Sequence, residues 1–66
     1  MIRMEINGIE LETVPGVENV LWAVGKPYYF FLRSIAPVKL AGPFQSCTEA
    51  VFEHSAWRDV VRRARQ

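Results

Sequence analysis

The chain has 66 residues, a formal net charge of +1 and an apolar half, which describes one small globular domain spanning 1–66 rather than a disordered tail. Its single cysteine, Cys47, excludes an internal disulfide framework and suits a reducing, cytoplasmic setting. The opening MIRMEINGIE has no continuous apolar stretch, so no signal peptide is expected, and the longest apolar runs are too short to cross a bilayer.

The first element in chain order is a hairpin. In MEINGIELE apolar and polar residues alternate around Asn7-Gly8, a pair suited to a two-residue type I′ turn. That turn sets Ile6 opposite Ile9, Met4 opposite Leu11 and Ile2 opposite Thr13 on one face. The other face receives Arg3 opposite Glu12, a favourable pair, and Glu5 opposite Glu10, an unfavourable one unless something relieves it. Pro15-Gly16 ends the hairpin.

Residues 17 to 24 admit two readings. Val17, Val20, Leu21 and Val24 match helical spacing, with Gly25 and Pro27 as a stop. The run VLWAV is also rich in β-branched and aromatic residues, and eight residues make a short helix. The strand reading is preferred. A three-residue turn, Gly25 to Pro27, then pairs Val24 with Tyr28, Trp22 with Phe30 and Val20 with Leu32, gathering six large apolar residues on one face. The opposite face would show Leu21, Ala23, Tyr29 and Phe31, with Asn19 and Arg33 at its end.

VKLAG reads as a short strand that Gly42-Pro43 breaks. Ser46, with Glu49 three residues later, is a capping box that starts a helix near Cys47. The helix is expected to reach Arg63 or Ala64. Ala50, His54, Trp57, Val61 and Ala64 form the stripe that should lie on the sheet, with Cys47 and Val60 at its flanks. Asp59 and Arg63 have the i, i+4 spacing of an ion pair. Phe52 falls on the opposite side, in solvent or against a partner. The expected architecture is therefore α+β: an antiparallel sheet of four or five strands with one C-terminal helix on one face.

Catalytic chemistry finds little support. Cys47 and His54 are separated by about 10.5 Å of helical rise, too far for a nucleophile and its base. One Cys and one His leave a zinc site short of ligands, and no phosphate-binding glycine motif occurs, so no cofactor is expected. Glu5 and Glu10 lie on a solvated hairpin face that offers no pocket to raise a carboxylate pKa.

Charge is unevenly distributed. Up to Gly25 the chain carries Arg3 against four glutamates; beyond it, seven cations face three acids. An apolar patch with a polar rim usually marks an interface. The sequence therefore points to a non-catalytic protein-binding factor, accessory, regulatory or inhibitory, of a kind that viruses and mobile elements also encode. Leu21, Tyr29, Phe31, Arg33 and Phe52 would form its contact surface, with a second copy as the first partner. The competing reading is a single-stranded nucleic-acid module, in which sheet aromatics stack on bases and Arg58, Arg62 and Arg65 track phosphates. The nearly neutral total charge weighs against it.

Overall fold

The computed structural model describes residues 2–65. Five strands and one helix follow in chain order: β1 (Arg3–Ile6), β2 (Ile9–Thr13), β3 (Leu21–Ala23), β4 (Tyr29–Ile35), β5 (Val38–Phe44) and α1 (Cys47–Ala64). All five strands join in one antiparallel meander in sequence order, so the α+β architecture holds. β1 and β5 are its edges.

The first hairpin has the expected register, with Met4 opposite Leu11 and Ile6 opposite Ile9. Asn7 takes a φ of 53°, as the type I′ turn requires. The like-charged pair Glu5 and Glu10 is relieved by a neighbour: Arg3 reaches Glu10 at 3.2 Å and Glu12 at 3.4 Å. Arg3 thus neutralises Glu12, which is largely buried. Thr13 ties off the hairpin by donating its N–H to the carbonyl of Ile2 and accepting from the Ile2 N–H through Oγ1.

Residues 21 to 23 form a strand, but its register differs from the expected one by one residue. Leu21 stands opposite Phe30 and Trp22 opposite Tyr29. The physical cause lies in the turn. Its loop has four residues, Val24 to Pro27, not three, because the Lys26 N–H donates to the Ala23 carbonyl at 3.0 Å. Gly25 occupies the third position of this turn with φ 76°, a conformation glycine adopts without steric cost. The Trp22 indole N–H then donates to the Lys26 carbonyl at 2.9 Å and secures the loop. A shift of one residue exchanges the faces of a strand pair.

The exchange moves the core. Leu11, Leu21, Ala23 and Phe30 are buried together, and Met4, Ile6, Ile9, Leu32 and Leu40 pack around them. These residues share the sheet face turned away from α1, and the sheet curls around them. Phe31 points the other way, under the helix, where it is 2% exposed. The expected arrangement, with Phe30 and Leu32 beneath the helix and Leu21 and Phe31 on an open face, is therefore corrected. Tyr28, expected in the core, is exposed instead.

β5 also runs further than expected, through Gly42-Pro43 to Phe44. Ala41 pairs with Phe31 and Phe44 with Tyr29, so three steps along β5 match two along β4: a bulge. Gly42 takes φ 136°, and a Cβ placed on it would lie 2.7 Å from Phe30 Cδ2 and 2.9 Å from the Tyr29 carbonyl oxygen. Only glycine lets the backbone approach β4 this closely. Pro43 is tolerated because β5 is an edge strand.

Candidate interaction surface

Helix α1 begins where the capping residues place it. Ser46 has extended backbone angles, and its hydroxyl accepts the Glu49 N–H at 3.1 Å. Arg62 and Arg63 in the last turn meet the negative end of the helix dipole. The helix rests on β4 and β5.

Phe31 is the centre of that contact. Its ring stacks on Phe44, meets the edge of His54 at 5.1 Å between centroids, and lies 5.8 Å from the Trp57 ring. Ala50 is fully buried beside this group. Burial of the imidazole lowers the pKa of His54 below its usual range, and the positive charge of Arg58 lowers it further.

Of the 18 helical residues Ala50 is buried, Cys47, His54, Trp57 and Val61 are half-buried, and the rest are exposed. Phe52 is 70% exposed and Val60 64%, and Ala56 between them is also open. At helical spacing these three residues form one oblique ridge, which runs from Phe52 on the outer side of α1 round to Ala56 and Val60 at the groove facing the β4–β5 hairpin. Asp59 and Arg63 are both exposed, and they do not close the ion pair that their spacing allows. A groove of about 340 Å³ runs between α1 and the β4–β5 hairpin. Phe31, Phe44, Trp57 and Val60 line it, with Arg33 and Glu53 at its rim. On the other side of the helix a wider cleft of about 640 Å³ carries Arg33, Arg58, His54 and Asn19.

Two global measures agree with an open structure. A folded chain of 7.6 kDa has a typical accessible surface of about 4,300 Å². This one exposes 4948 Å², an excess of about 650 Å² over that relation. Its radius of gyration, 11.9 Å, also exceeds the roughly 10.8 Å typical of a compact chain this long.

The residues expected to form a contact surface therefore separate. Leu21 is a core residue at 6% exposure and Phe31 is the seat of the helix, so neither is available to a partner. Tyr29 is half-buried on the helix side of the sheet, beside Trp22. Arg33 is exposed and lines both the groove and the cleft. Phe52 is exposed as expected. Arg58, Arg62 and Arg65 are all exposed and share one flank of α1. Val60 lies on the flank of the packed stripe, as expected, and lines the groove with Phe31, Phe44 and Trp57 while remaining 64% exposed.

Among the described residues no three metal-ligating side chains converge, and no helix is long and apolar enough to cross a membrane. Comparison with family models, curated proteins and solved structures finds no match to this chain.

Proposed function

We propose that this chain is a non-catalytic protein-binding factor, accessory, regulatory or inhibitory, and that it works through the exposed ridge of α1. One observation carries this reading: a helix of 18 residues buries only Ala50, while Phe52 and Val60 remain in solvent. Exposing that apolar surface is unfavourable, and a partner that covers it recovers about 25 cal/mol per Å². Phe52 supplies a large ring with few rotors, the kind of side chain that dominates binding energy. The partner surface is correspondingly apolar along its middle and charged at its ends. The free Cys47 suits action in the reducing cytoplasm.

The test compares the wild type with Phe52→Asp as affinity baits. The exposed position leaves the circular dichroism spectrum and melting temperature of the variant unchanged. The wild type is expected to retain a stoichiometric protein partner that the variant loses. Equal retention by both baits would refute the assignment of the ridge.

A second reading has its own support. Arg58, Arg62 and Arg65 form an exposed cationic flank, and Arg33 stands beside Arg58 in the cleft. Such a flank suits a phosphate backbone. The stacking platform that single-strand recognition needs is weaker than expected, because Phe31 is covered by α1. This reading predicts salt-dependent binding of a single-stranded oligonucleotide, weakened by Arg62→Glu. No binding at low salt removes it.

A further inference from the structure

We infer that the partner covering the exposed ridge is a second copy of this chain, its α1 antiparallel to the first across a twofold axis that passes between the two Ala56 residues. This rests on the protein-binding reading above and names the partner and its orientation.

The ridge is self-complementary. Phe52, Ala56 and Val60 lie at i, i+4 and i+8, and all three are exposed. In an antiparallel pair centred on Ala56, Phe52 of one copy and Val60 of the other come to the same level from opposite sides of the seam, twice. The small side chain at the centre lets the two helix axes approach closely.

Charge selects the orientation. Glu49 and Arg63 are each seven residues from Ala56, and at 100° per residue both lie within about 20° of the Ala56 line. The antiparallel arrangement sets Glu49 of each copy beside Arg63 of the other. A parallel arrangement would set Glu49 against Glu49 and Arg63 against Arg63. Both side chains are exposed, and neither has an ion-pair partner among the described residues. Glu53 and Asp59 lie on opposite flanks of the ridge, so the twofold axis carries them to opposite sides of the seam and they do not collide.

An isologous contact of this kind is the commonest form of self-association.

Sedimentation velocity over a concentration series, with native mass measurement, tests the pairing. The wild type is expected to dimerise. Glu49→Arg and Arg63→Glu, each folded by circular dichroism, are each expected to weaken the dimer at least tenfold. The double variant E49R/R63E is expected to recover it, and an equimolar mixture of the two single variants to form heterodimers. A wild type that stays monomeric at several hundred micromolar overturns self-pairing. The protein-binding reading would then stand or fall separately on Phe52-dependent capture of another protein. A dimer that neither single reversal weakens overturns the antiparallel register.

Discussion

The ring of Phe31 lies almost parallel to that of Phe44, 3° from coplanar and 5.6 Å away between centroids. This stack joins β4 to the end of β5, and the His54 and Trp57 rings of α1 close over it. Phe31 is therefore a central contact between the sheet and the helix, while the main apolar core occupies the other sheet face.

Truncating that residue should release the helix. Phe31→Ala removes a ring that is 2% exposed, and such losses typically cost about 3–5 kcal/mol. For a chain whose whole stability is expected near 5 kcal/mol, the variant should be largely unfolded or molten at 37 °C. Phe31→Asp should be at least as damaging. Circular dichroism melts test this; a cooperative melt near that of the wild type would remove Phe31 from the core.

Gly42→Ala should also destabilise. The added methyl meets the Phe30 ring and the Tyr29 carbonyl oxygen well inside contact distance, at a φ that L side chains rarely adopt. A cost of about 1–3 kcal/mol follows from strain of this kind, or a fall in melting temperature of roughly 5–20 °C for a domain of this size. An unchanged melting temperature would show that β5 does not approach β4 so closely.

The helix start can be tested at Ser46, whose hydroxyl accepts the Glu49 N–H. Ser46→Ala should cost about 1 kcal/mol, and Ser46→Asp should preserve stability because its carboxylate accepts the same bond. Equal melting temperatures for all three proteins would deny the cap a role.

His54 should make stability depend on pH. Burial, and then Arg58, depress its pKa in the folded chain. A group depressed by folding favours the native state above its unfolded pKa of about 6.5. That contribution is lost progressively as pH falls through 6.5 toward the lower folded value. Denaturant melts of the wild type should weaken between pH 7 and 5. His54→Gln should flatten this dependence; the same slope in both proteins would exclude His54 as its source.

Some of this protein was determined by neighbours in sequence. Asn7-Gly8 can hardly form anything but a tight turn, and the alternation on either side leaves one register that places Met4, Ile6, Ile9 and Leu11 on a common face. Ser46 and Glu49 likewise started the helix, because a cap is a local hydrogen bond. Phe52 could be placed on the outer side by helical spacing alone. The central pair of strands was different. VLWAV and YYFFL are apolar on both faces, so either register buries large side chains and periodicity cannot choose between them. The choice fell to a four-residue loop closed by Lys26 and the Trp22 indole, and it moved Leu21 and Phe31 from an open face to the interior. How little of α1 the sheet would cover was equally a tertiary matter. It depends on a curled sheet that keeps most of its apolar side chains to itself, leaving the helix to sit on Phe31 and its neighbours in β4 and β5 with Phe52 and Val60 exposed.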